Sequence, residues 1–169
     1  MIRSRIVRGV AVGAGVLLAA CSANMMSAEF PGELESVSPR GGAANVSLST
    51  DITVTFSHAM MPGMEEYVAL HEGGIAGPAV AMSCTRSDGG RTLTCRPYQA
   101  LAAGSQYTLH LGGGLMDTLG HSIGMGRMGQ RMGGRWALSG MMSGEPGMMA
   151  GGWRHQNGSY GMAFEFTTR

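Results

Sequence analysis

From residue 34 onward, apolar and polar residues alternate in short runs broken by turn-forming residues. Ile52-Thr53-Val54-Thr55-Phe56, entered from Asp51, repeats with a period of two, which sends alternate side chains to opposite faces of a strand. Met162-Ala163-Phe164-Glu165-Phe166-Thr167-Thr168 does the same near the other end. Tyr67-Val68-Ala69-Leu70, Ala79-Val80-Ala81-Met82, Thr92-Leu93-Thr94-Cys95 and Tyr107-Thr108-Leu109-His110-Leu111 are shorter strand candidates. Turn residues such as Pro39, Gly41 and Gly42 separate these runs, and none sustains a helical period. Short strands at this spacing predict an all-β antiparallel sandwich of about seven strands.

The N-terminus has a different pattern. Arg3, Arg5 and Arg8 precede an uncharged run from Gly9 to Ala20, the layout of a secretory leader. The run is short for a membrane span. It ends in Leu18-Ala19-Ala20-Cys21, which resembles the bacterial lipobox, so residues 1–20 are expected to be a lipoprotein signal peptide and Cys21 the lipidated first residue of the mature chain. Several fatty chains on one residue would anchor it stably to a membrane. Residues 21–33 are polar, small and aperiodic and read as a tether. Ser22 after the cysteine gives a preference for the outer membrane. Loss of the three leader arginines leaves the eleven acids in excess of the basic residues, which argues against nucleic acid as a partner.

An oxidising compartment changes the reading of the remaining cysteines. Cys84 and Cys95 flank Arg86-Ser87-Asp88-Gly89-Gly90-Arg91, a hairpin turn between two alternating runs, and a disulfide between them is expected. A turn on Gly89-Gly90 sets the two cysteines opposite each other. A turn on Asp88-Gly89 offsets them by one pair.

Ser38-Pro39, Asn45-Val46 and Ile52-Thr53-Val54-Thr55-Phe56-Ser57 with Met60 come in an order that resembles the start of a bacterial Ig-like domain of the S-layer-protein (SbsA) type. Thr92-Leu93-Thr94, Pro97, Leu101, Gly104, Tyr107-Thr108-Leu109, Asp117 with Gly120, and Phe164 to Thr168 continue that order. The resemblance implies one Ig-like domain over residues 34–169, a turn at Asp117 to Gly120, and an apolar packing role for Met60. The chain departs from the family between Gly120 and Gly161, where a long Gly/Met-rich insertion, residues 121–160, precedes the last strand. A connection of that length without structure of its own is usually functional or disordered.

The insertion carries Met125, Met128, Met132, Met141, Met142, Met148 and Met149, with His121 and His155 nearby. Thioethers are soft ligands that select Cu(I), and imidazole also suits copper. Methionine needs no deprotonation and forms no disulfide, so this set is the candidate metal site, with Cu(I) as the candidate cofactor. The chain also resembles periplasmic copper-binding proteins of the CopC type, small Ig-like sandwiches with methionine-rich loops. Their Cu(II) site uses an N-terminal histidine, whereas acylated Cys21 would stand there in this chain. Methionine-rich segments also serve as adaptable contact surface. A further reading sets Arg127, Arg131 and Arg135 beside Met128, Met132 and Trp136 as two stripes of one helix against an anionic membrane, although its glycines would each cost about 1 kcal/mol relative to alanine. His58 and Met61 could complete a site if the insertion folds back to the end of the Phe56 strand. His71 and His110 are expected to face solvent or to be hydrogen-bonded rather than to ligate.

No nucleophile elbow, metalloprotease helix, phosphate loop or dinucleotide fingerprint occurs. Asp51, Asp88 and Asp117 stand at strand starts or turns, where capping is the usual role. The chain therefore reads as a non-enzymatic cell-envelope lipoprotein binding a soft metal. The alternative is a structural or adhesion-type module that binds another envelope protein.

Overall fold

The computed structural model describes residues 30–141 and 151–169. The expected leader, Cys21 and most of the tether lie outside the described residues, as do Met142, Met148 and Met149.

Among the described residues, nine strands form two sheets. The first contains β1 (Leu34–Ser38), β3 (Ile52–Phe56), β6 (Thr92–Pro97) and β5 (Met82–Ser87), in the order β1-β3-β6-β5 and antiparallel throughout. The second has the order β2-β9-β7-β4, from β2 (Ala43–Val46), β9 (Met162–Thr168), β7 (Gln106–Leu111) and β4 (Val68–Glu72). β2 runs parallel to β9 near its end, pairing at Phe166 and Thr168. β8 (Arg135–Trp136), supplied by the insertion, pairs with the beginning of β9 at Met162 and Ala163. Since β7 occupies one side of β9 along Met162 to Thr167, β2 and β8 share the other.

The expected all-β sandwich is present, with nine strands rather than about seven. β2 and β8 are too brief for alternation to stand out, and in β1 a register shift between Leu34 and Ser36 breaks it. The Ala79 run is a single bridge to His71, and the strand expected there begins only at Met82.

Alternate residues of both sheets meet in one core. Val37, Ile52, Val54, Phe56, Leu93 and Cys95 come from the first sheet, and Leu70, Leu109, Leu111, Met162, Phe164 and Phe166 from the second. Truncating a buried Phe or Leu in such a core typically costs about 2–5 kcal/mol, because transfer and cavity terms add. Met60 is 1% exposed within this core, the packing role that the family resemblance implies. The β5–β6 hairpin adopts the register of a Gly89-Gly90 turn, with Thr85 opposite Thr94 and Cys84 opposite Cys95. Cys84 and Cys95 are joined by a disulfide.

The insertion has structure of its own. Its helix α1 (Gly126–Arg131) lies against β1. The helix stops because Gly133 enters the left-handed region at φ 77°, while Gly133 N–H donates to the Gln130 carbonyl and Gly134 N–H to the Gly129 carbonyl. This double bond is the Schellman termination, for which glycine has no steric penalty. One continuous helix carrying Arg127, Arg131 and Arg135 is therefore not formed. The chain turns after Arg131, and Arg135-Trp136 enters the sheet.

Candidate functional site

An Ig-like sandwich buries the inner faces of its sheets and leaves the outer faces to solvent. The second sheet departs from this, because β7 is buried on both faces from Tyr107 to Leu111. Its outward residues Thr108 and His110, together with His71 on β4, have no exposed surface, and Ala163 on β9 has almost none. Two segments cover them. The β4–β5 connection brings Ile75, while the insertion brings Ala137, Trp153 and Tyr160, and these side chains form a second, smaller apolar cluster with Ala69 and Ala163. The sandwich thus has a partial third layer over one sheet.

Glycines permit that layer to lie close. A Cβ on Gly112 would collide with the Trp153 ring, one on Gly113 with the backbone of Arg154 and His155, and one on Gly114 with the Gly152 carbonyl. Gly113 N–H also donates to the Trp153 carbonyl at 2.7 Å. The run Gly112-Gly113-Gly114 is therefore a flat track on which residues 152–155 rest. Gly129 and Gly134 play the same role on the helical side, where a Cβ on either would strike Met162. Much of the glycine in the insertion and its seat thus serves close packing.

Trp153 is held edge-on to Tyr67, with centroids 5.5 Å apart, and lies 4.9 Å from the His110 ring. Each histidine fastens one covering segment. His71 Nδ1 is 3.0 Å from the Gly77 carbonyl in the β4–β5 connection, and His110 Nε2 is 2.6 Å from the Tyr160 carbonyl in the insertion. Burial pushes the His110 imidazole down to about 4, against the upward pull of its bond to Tyr160 and with a further lowering from His71. It is neutral at ordinary pH. The two histidines are hydrogen-bonded, as one of the sequence alternatives has it, and they do not face solvent.

The candidate ligands of the insertion are dispersed in role. Met125 is fully buried in the main core, and Met132 packs against it. Met128 is half-buried on α1. Met141, 38% exposed, ends a short 3-10 turn over Ser139–Met141, immediately before residue 142. His155 lies against Trp136, with ring centroids 5.0 Å apart. His121 is half-exposed, its Nδ1 3.4 Å from Asp117 Oδ2. Among the described residues no three His, Cys, Asp or Glu side chains gather into a cluster able to hold a metal ion. Met125, with no exposed surface, is committed to packing, and Met132 is half-buried against the same core. Met141 has the exposure such a ligand needs.

The end of the sandwich beside His121 is tied by Asp117. Its buried carboxylate accepts backbone N–H bonds from Gly32 at 3.1 Å and from Leu119 and His121 at 2.9 Å each. Burial alone would raise its pKa, but these three donors, with the nearby His121 ring, bring it below the usual carboxylate value. His58 and Met61 are near this end, since Met61 N–H donates to the Met116 carbonyl and Ala59 accepts from Thr118. The Met64 sulfur lies 3.3 Å from the Met116 amide nitrogen, a structural use for that thioether.

The bacterial Ig-like domain family matches residues 29–128, more than half of the chain. The chain belongs to that family. The match ends within α1, so β8 and the insertion's share of the covering layer lie beyond it, although the final strand β9 completes the sheet. A search of curated proteins finds no match. Among solved structures, the N-terminal part of the bacterial S-layer protein SbsC is 18% identical at a TM-score of 0.46, covering 83% of this chain and 24% of that one. PcoC, a methionine-rich copper resistance protein from Escherichia coli, is 14% identical at a TM-score of 0.46, covering 83% and 99%. L,D-transpeptidase 1 from Mycobacterium tuberculosis is 14% identical at a TM-score of 0.39, covering 57% and 40%. The chain spans only about an eighth of the longer S-layer chains it matches. Family membership of this Ig-like domain rests on the family match, not on these structural likenesses.

Sequence reasoning passed over the track Gly112-Gly113-Gly114 and the joining of His71 and His110 under one covering layer. The signal available was the glycine run directly after β7. Three successive residues without side chains at a strand end mark a place where another backbone approaches.

Proposed function

We propose that this chain is a non-enzymatic cell-envelope lipoprotein whose Ig-like domain holds residues 142–150 for binding Cu(I) or a related soft ion. The observation that supports this reading is that both ends of the segment are held on the second sheet. On one side Ala137 is buried and Arg135-Trp136 pairs with β9. On the other, residues 152–155 rest on the glycine track. Met142, Met148 and Met149 belong to this segment, and Met141 adjoins it. Thioether sulfur from these four residues is the donor set, and copper would supply only the binding partner, with no chemistry of its own. The arginine-led apolar leader and Cys21 support lipid attachment in the envelope, with the outer membrane preferred. The three aspartates have structural partners, which supports a binding role over catalysis: Asp51 pairs with Arg96, Asp88 with Arg91, and Asp117 with backbone donors.

The test is an anaerobic Cu(I) titration against a chromogenic chelator, comparing the full chain with one carrying Met141, Met142, Met148 and Met149→Leu. Leucine keeps the volume and apolar character of methionine. Loss of a copper equivalent with the fold intact is the expected result. Unchanged uptake overturns the metal reading and leaves the adhesion-type alternative. That alternative is favoured by Leu138, 61% exposed close to Met141, a suitable contact for another envelope protein.

A further inference from the structure

The covered face of the second sheet holds two imidazoles of which the fold uses only one nitrogen each. His71 stands opposite Thr108 and His110 opposite Ala69, so the two are diagonal neighbours on adjacent strands and share one face. Both are wholly buried. The Gly77 and Tyr160 carbonyls can only accept, so His71 Nδ1 and His110 Nε2 carry the ring protons. His71 Nε2 and His110 Nδ1 are then bare lone pairs, and neither has a hydrogen-bond partner.

Buried lone pairs without a donor cost stability unless an electron-poor group meets them. A ring N–H held by a backbone carbonyl is also the arrangement that orients histidine ligands and raises their basicity. We propose that His71 Nε2 and His110 Nδ1 form a buried two-nitrogen site for Cu(I), separate from the methionines of residues 141–149. The coordination number selects the ion. Zinc is almost always four-coordinate in protein sites, and among the described residues no third His, Cys, Asp or Glu joins the pair. Cu(I), with a filled d shell, is satisfied by two ligands in line, and imidazole is a suitable one. As a monocation it is also less costly to bury than a divalent ion. The covering layer excludes the water that would favour oxidation. The rival occupant is one water molecule donating a hydrogen to each lone pair.

The test begins with the full chain carrying Met141, Met142, Met148 and Met149→Leu, which removes the other candidate site. His71→Asn and His110→Gln are added separately. Asparagine places its amide nitrogen where Nδ1 stood and glutamine where Nε2 stood, so each keeps its carbonyl bond and loses only the lone pair. One Cu(I) per parent chain is expected, weakened on the order of 100-fold or more by either change, with X-ray absorption of the parent showing two nitrogen neighbours. No uptake by the parent, sulfur neighbours, or uptake indifferent to both histidine changes overturns the site and leaves the buried water. If a histidine variant fails to fold by circular dichroism, the X-ray absorption of the parent decides. Failure here leaves the methionine reading standing, because that reading is judged by the equivalent lost on the Met→Leu changes.

Discussion

The outer face of the first sheet carries Ser36, Thr55, Thr92 and Ser87 in one row across its four strands, and Ser38, Thr53, Thr94 and Thr85 in the next. All eight are at least partly open to solvent. The outer face of the second sheet carries Ala69, His71, Thr108, His110 and Ala163, and most of it is sealed under the insertion and the β4–β5 connection. Both faces consist of the polar or small residues that alternate with core positions. What separates them is what lies above. The first face offers hydroxyls that water satisfies, whereas every polar group of the second must find a protein partner or go without. Thr108 finds the Gly73 carbonyl at 2.5 Å, and each histidine satisfies one nitrogen of two.

Several measurements would break or sharpen this contrast. The largest effect is expected from Gly113→Val, which sets a branched side chain against the backbone of Arg154 and His155. Overpacking of this kind should cost about 3 kcal/mol in urea unfolding and shift Trp153 fluorescence toward that of exposed indole.

Acid should act next, on the covered face through His110. The His110 pKa is about 4 in the folded protein, below the ordinary value near 6.5 that the unfolded chain retains. The unfolded state therefore takes up a proton first as pH falls. Stability is complete above pH 6.5, declines from there to about 4, and levels off below, for a total near 3 kcal/mol. Subtracting the pH profile of His110→Gln from that of the wild type should isolate this decline, and identical profiles would refute it.

Trp153→Ala removes the half-buried lid residue without touching a strand. About 2 kcal/mol of destabilisation is expected, less than for a fully buried tryptophan, together with faster amide exchange at His110 in β7. The smallest effect belongs to the open face. Thr53→Val and Thr94→Val should each change stability by less than about 0.5 kcal/mol, because their hydroxyls already face water and valine favours strands equally well. A larger loss there would mean that the hydroxyl rows form a network of their own.

The β3, β6, β7 and β9 strands were legible because their core residues fall at every second position. The hairpin register was legible up to the choice of turn pair, which the chain settles on Gly89-Gly90. The stripe of Arg127, Arg131 and Arg135 was misleading as a helix, since Gly133 and Gly134 end α1 one turn early. The methionines of the insertion could not be sorted by sequence. Met125 and Met132 differ from Met141 only in what packs around them.

Local sequence determined which segments form strands, where they turn, which cysteines pair and which family the domain joins. Each of these depends on interactions between residues close in the chain or on a pattern of period two. Only the tertiary structure decided that one sheet face would be covered, that three glycines would seat Trp153 and its neighbours, and that His71 and His110 would be sealed together with two lone pairs unspent. Those outcomes join residues 71, 110 and 153, far apart in sequence, and burial at such a place depends on the partner that arrives rather than on the residue that waits for it.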